Sequence, residues 1–110
     1  MDRNDCLDAA RQAVADRGLN YGTPEDNFAK TAALWSAFLG RPILVTDVPI
    51  MLALLKVARL ANDPHHADSA VDLAGYAACL AEVASSGRDK AAKVVSLSRS
   101  ITDPRNDDGG

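Results

Sequence analysis

Apolar positions recur along this chain at helical rather than strand spacing. Leu7, Ala10, Ala13 and Val14 fall on one stripe of a segment beginning at Asp2 or Asn4, with Asp8, Arg11, Gln12 and Asp16 on the other. The pattern predicts a helix to Arg17, a left-handed C-cap at Gly18 and a loop over Leu19-Asn20-Tyr21-Gly22. Thr23-Pro24-Glu25-Asp26 is the clearest start signal: a capping hydroxyl, a proline at the first helical position and two acids at the positive end of the helix dipole. Phe28, Ala32, Trp35 and Leu39 then form a single seam that Gly40-Arg41-Pro42 ends.

Ile43-Leu44-Val45 is β-flavoured but has no partner run, so it reads as a buried connector. Thr46 is placed to cap a third helix in which Ile50, Met51, Leu52, Leu54, Leu55, Val57, Ala58 and Leu60 cover almost the whole circumference. Such a helix is expected in the middle of a bundle. Asn62-Asp63-Pro64 breaks the chain before a fourth helix over Asp68 to Ser85, with Val71, Ala74, Ala78 and Ala81 along one side. A weaker fifth helix is expected from Asp89 to Ser100, with Ala91, Val94, Leu97 or Ser98, and Ile101 inward. Residues 1–101 thus form a single domain, followed by a polar tail, 102–110, expected to be disordered. The fold class is all-α, an antiparallel bundle of four main helices. The thin Ala-rich seams of helices four and five point to a helical partner, hence a homo-oligomer.

Composition narrows the function more than it names it. Twenty alanines reinforce the helical reading. A net charge of -3 argues against binding duplex nucleic acid through bulk phosphate attraction. Cys6 and Cys79 are far apart and outside any Cys/His cluster, which excludes a structural zinc site and a disulfide framework. The polar start Met1-Asp2-Arg3-Asn4-Asp5 has no apolar run behind it, and the stretch from Ile50 to Leu60 is about half the length a bilayer needs. The expected setting is the cytoplasm, with no membrane partner.

Candidate chemistry centres on Lys56 and Arg59, three apart on an otherwise apolar helix. Either they snorkel to the bundle edge and pair with acids of helix four, or they enter a shared hollow and hold an anionic ligand. Asp68 and Asp72 share a face at the start of helix four, where they would salt-bridge to Lys56 or Arg59, or hold Mg²⁺ with phosphate oxygens. His65-His66 lack a third ligand and read as a loop. Trp35 lies on a core seam, whereas Tyr21 sits in a Gly-flanked loop where stacking on a ligand is an equal alternative to a capping contact. No catalytic Ser/His/Asp order, phosphate-binding glycine loop or calcium loop is present.

Tyr21-Gly22 with Asn27-Phe28, then Ala33-Leu34-Trp35, then Leu54-Leu55-Lys56-Val57-Ala58-Arg59-Leu60, then Asp68 with Asp72-Leu73-Ala74-Gly75-Tyr76-Ala77, resembles an uncharacterised domain family common in bacteriophage and prophage genomes. The likeness covers about residues 5–84. That family is in turn distantly similar to the MazG-like all-α nucleoside triphosphate pyrophosphohydrolases. The resemblance implies a MazG-like bundle, dimers or tetramers, Mg²⁺ and nucleotide substrates, in an infected or lysogenic host. MazG-like enzymes hold metal with an ExxE pair on one helix and an ExxD pair on the next. Here Lys56 and Arg59 stand where the first pair belongs, and the second survives only as Asp68 and Asp72. Exchanging carboxylates for cations removes metal affinity and adds phosphate affinity. The expected function is therefore binding of a nucleotide or nucleotide-derived ligand without efficient hydrolysis, for instance sequestering a host-defence signal. Lys56 and Arg59 would contact phosphates, Tyr21 or Trp35 would stack on the base, and Asn27, Asp72 and Tyr76 would bond sugar or base. A Mg²⁺-dependent pyrophosphohydrolase using Asp68 and Asp72, and a purely structural assembly module, are the alternatives.

Overall fold

A computed structural model describes residues 1–85 of the chain. Among these the fold is all-α, with helices α1 (Arg3–Tyr21), α2 (Pro24–Leu39), α3 (Asp47–Asn62) and α4 (Ala67–Ser85) and no strand. The expected fifth helix and polar tail lie outside the described residues.

Local chemistry fixes the helix starts. Asp2 and Asp5 form a reciprocal capping box at α1. At α2 the Asp26 amide donates to Thr23 Oγ1 at 3.2 Å, with Pro24 in the first turn as the sequence predicts. Gly40 ends α2 at φ 70°, its amide donating to the Ser36 carbonyl at 2.9 Å. The α3 start is built differently from expectation. Thr46 makes no side-chain cap; instead the Leu44 amide donates to Asp47 Oδ2 at 2.9 Å. The first helix also runs past Gly18 and stops at Gly22, at φ 82°. The positive φ falls at Gly22, where ψ is −165° and the backbone is not a left-handed helical cap, and not at the expected Gly18.

The bundle is organised around α4, not α3. Helix α4 packs along both α1 and α3 and also meets α2. Its inward stripe is Ser69, Val71, Gly75, Cys79 and Val83, so the predicted line through Ala78 and Ala81 is displaced to the exposed side. Gly75 and Cys79 let neighbouring helices approach where larger side chains would hold them off. On α1 the stripe is likewise shifted, with Ala10 buried and Leu7 exposed. Phe28 and Ala32 of α2, Ile43 and Val45 of the connector, Val48 of α3, and Cys79 and Val83 of α4 make one core against which Trp35 and Leu52 pack.

Helix directions depart from a simple antiparallel bundle. Arg59–His66 and Lys56–Asp72 contacts converge on the α3–α4 turn, so those helices are antiparallel, as a short connection demands. Helix α1 runs parallel to α4: Met1, Asp2 and Cys6 lie beside Pro64 to Ala70, while Val14 meets Gly75. Three reversing connections would set α1 and α4 antiparallel, so one of the connections on either side of α2 does not reverse the chain. No described helix is long and apolar enough to cross a membrane.

At Gly75 a Cβ would sit 3.6 Å from Val14 Cγ2, ordinary van der Waals contact, and the backbone is helical. Gly75→Ala should therefore stabilise the protein by about 0.5–1 kcal/mol, through helix propensity and a less flexible unfolded chain. Urea denaturation checks this; a lower midpoint would show that the α1–α4 approach tolerates no added carbon.

Candidate functional site

The parallel run of α1 beside α4 leaves a cleft of about 240 Å³ between them. One wall is Ala13, Val14, Asp16, Arg17 and Asn20; the other is Val71, Asp72, Gly75, Tyr76 and Cys79. Absence of a side chain on Gly75 leaves room for the space, and Val14 and Val71 make its lining apolar between polar groups.

The polar groups are held from behind. Arg17 is half-buried and its Nη2 donates to Asn27 Oδ1 at 3.3 Å. The Asn27 carbonyl in turn accepts from Thr31 Oγ1 at 2.9 Å. Asn20 Nδ2 donates to the Asp16 carbonyl at 3.0 Å, and Gln12 Nε2 donates to Asp16 Oδ1 at 2.9 Å. Across the cleft, Asp72 Oδ2 is paired with Lys56 Nζ at 3.0 Å. The lysine side chain is only 20% exposed and that of Asp72 40%, so this pair is better shielded than an ordinary surface bridge. At the cleft floor, burial pushes the Cys79 thiol up, with Arg17 opposing and Glu82 and Glu25 adding to the shift. Cys79 is thus a protonated, apolar part of the wall.

The sequence-predicted site residues are divided by this geometry. Asp72 and Tyr76 line the cleft, Asn27 braces its arginine, and Lys56 braces Asp72. Lys56 and Arg59, expected to share one hollow, are separated. Arg59 Nη2 lies 3.3 Å from His66 Nε2 and borders a second hollow at the end of α3, with Asn62 and Asp63. The Ser69 amide donates to His66 Nδ1 at 3.2 Å, and Ser69 Oγ lies 2.7 Å from the same nitrogen. His66 stands in the loop between α3 and α4, as the sequence predicts, and clasps the buried Ser69. Trp35 packs against the core and does not line the cleft. Tyr21 is the last residue of α1, not part of a loop. Asp68 is exposed in the first turn of α4, and Lys56 pairs with Asp72 alone of the two acids. Among the described residues no group of three or more His, Cys, Asp or Glu side chains is gathered to hold a metal.

The sequence pattern does not single out Arg17, Asp16 and Asn20, because Arg17 reads as the end of a helix. The available signal was its register: Arg17 follows Ala10 and Val14 at i+7 and i+3, so a cation stands on the buried stripe.

An all-α domain with a mixed-charge cleft between its first and last described helices is what the coordinates define. The chain belongs to the family described as "Domain of unknown function (DUF6378)", whose sequence pattern matches residues 5–84. It is similar to the "Gene 55 protein" of Mycobacterium phage D29, 38% identical over 76 residues, which is 69% of this chain and 50% of that protein. It is also similar to the "Gene 55 protein" of Mycobacterium phage L5, 40% identical over 65 residues, 58% of this chain and 42% of that protein. The chain spans about half the length of these relatives. No solved structure matches it.

Proposed function

We propose that the protein binds a nucleotide or nucleotide-derived ligand in the α1–α4 cleft and does not hydrolyse it efficiently. The observation that carries this reading is the meeting of Arg17, Asn20, Asp72 and Tyr76 around one partly apolar space. Each has a complement in such a ligand: the guanidinium for a phosphate, the amide and carboxylate for hydroxyls and base N–H groups, and the phenol ring for a base face. At about 240 Å³ the space lies just below the ~300–1,000 Å³ of typical small-molecule sites, which favours a mononucleotide-sized ligand.

Binding without turnover follows from the charges around Asp72. A hydrolase of the MazG-like type needs several carboxylates free to hold metal. Here a lysine ammonium lies 3.0 Å from Asp72, and that positive charge opposes a cation at the same oxygen. The four-helix arrangement is taken as MazG-like in outline, with its metal site lost. Sequestration of a host signalling nucleotide suits a protein whose relatives come from mycobacteriophages.

Isothermal titration with nucleoside mono-, di- and triphosphates, with and without Mg²⁺, tests this. Saturable binding of one class and chromatographically unchanged nucleotide are expected. Tyr76→Ala should weaken binding roughly fivefold, the lower end of one lost base stack. Absence of heat with every nucleotide tried, together with an unshifted Tm, would sink the proposal. Pyrophosphate release would make the protein an enzyme instead.

A further inference from the structure

The α1–α4 cleft holds no excess of positive charge. Its described walls bring one cation, Arg17, and two carboxylates, Asp16 and Asp72. Lys56 does not line the space, and its Nζ is committed to Asp72 at 3.0 Å, so that pair adds no net charge. Asp16 Oδ1 accepts from the uncharged Gln12 amide at 2.9 Å, which leaves the charge of Asp16 to set against that of Arg17. At the floor, Glu25 and Glu82 both raise the Cys79 thiol, so their negative charges reach the same space. Sites for polyphosphates gather several cations, or backbone amides at the start of a helix. Here the α1 wall, Asp16 to Asn20, is the carboxyl end of a helix and so the negative end of its dipole.

On the nucleotide reading of this cleft, we infer that its ligand carries one negative charge and is a cyclic nucleoside monophosphate. A cyclic phosphodiester has a single ionised oxygen, which the one guanidinium answers. A 5′-monophosphate carries about 1.5–2 charges near neutral pH, and every further phosphate adds to that. The added charge would meet Asp16, the two glutamates and the negative helix end, with no second cation among the described lining residues. The expected penalty is about fivefold in affinity per charge. An uncharged nucleoside would avoid that penalty but forgo the contact to Arg17. Size excludes the other singly charged linkages: at about 240 Å³ the space suits one nucleotide, not a dinucleotide or a strand.

Titration calorimetry of the full chain near neutral pH, at fixed salt, reads the order. The probes are adenosine, 3′,5′-cyclic AMP, AMP and ATP, with the matching guanosine, cytidine and uridine sets. For the base that binds, the cyclic ester should bind about fivefold tighter than its 5′-monophosphate and at least about tenfold tighter than its nucleoside. Asp16→Asn, at an exposed position and with an acceptor kept for Gln12, should narrow the first gap to about twofold and widen the second. A 5′-monophosphate or triphosphate that binds as tightly as the cyclic ester overturns the inference and leaves the nucleotide reading standing. A nucleoside that binds as tightly does the same. So does a first gap that persists in full in a helical Asp16→Asn variant, since shape and not charge would then select the ligand. Binding of none of these compounds removes the nucleotide reading itself, and the charge preference with it.

Discussion

Phe28→Ala is expected to cost about 3–5 kcal/mol of folding free energy and to lower Tm by roughly 15–30 °C. Phe28 is 1% exposed and stands where the first half of α2 meets Cys79 and Val83 of α4 and Val48 of α3. Removing its ring leaves a cavity that four separate chain segments must collapse to fill. The surrounding residues are already small or β-branched, so little can move in. Domains of this size are stable by about 5–15 kcal/mol in total, so one substitution removes a large share. The same residue type on the same helix supplies the control. Phe38 is 88% exposed, and Phe38→Ala should change stability by less than about 0.5 kcal/mol. Chemical denaturation followed by circular dichroism separates the two; near-equal losses would mean that the α2 face is wrongly assigned.

That contrast is legible in the sequence, because Phe28, Ala32 and Trp35 share a seam from which Phe38 departs. Start signals were equally readable: Thr23-Pro24 at α2 acts as its residue types dictate. Directions and partners were less so. Apolar residues all round α3 imply burial on every side, yet periodicity counts what could be buried and cannot say by which element. In one chain α4 takes the centre because Gly75, Cys79 and Ser69 permit close approach from two neighbours at once. The parallel pairing of α1 with α4 was invisible for a related reason. Three antiparallel connections in a row would leave the first and fourth helices antiparallel, so their parallel pairing needs a connection that does not reverse the chain, which local signals do not mark. The cleft lies at that non-consecutive contact, so the register of Arg17 places a cation on the buried stripe of α1 without showing what faces it. Asp72 and Tyr76 were found through motif order, while Arg17, whose role depends on what faces it, was not.

On the proposed nucleotide reading, the same geometry picks out which arginine would hold the ligand, and this gives the second large effect. Arg17→Ala should weaken nucleotide binding about tenfold to hundredfold, the loss of one charge-assisted contact worth about 1.5–3 kcal/mol. Arg59→Ala should change it by no more than about twofold, because Arg59 borders a separate hollow and its Nη2 lies against His66, away from the α1–α4 cleft. Sequence order alone ranks these residues the other way, since Arg59 sits in the motif shared with Lys56 and Arg17 does not. Asn27→Ala provides an intermediate case. It leaves the guanidinium charge in place but removes the 3.3 Å bond that orients it, so affinity should fall by less than in Arg17→Ala. Titration calorimetry on the three variants reads the order directly. An affinity loss confined to Arg59→Ala would move the ligand to the end of α3 and leave the α1–α4 cleft without a function.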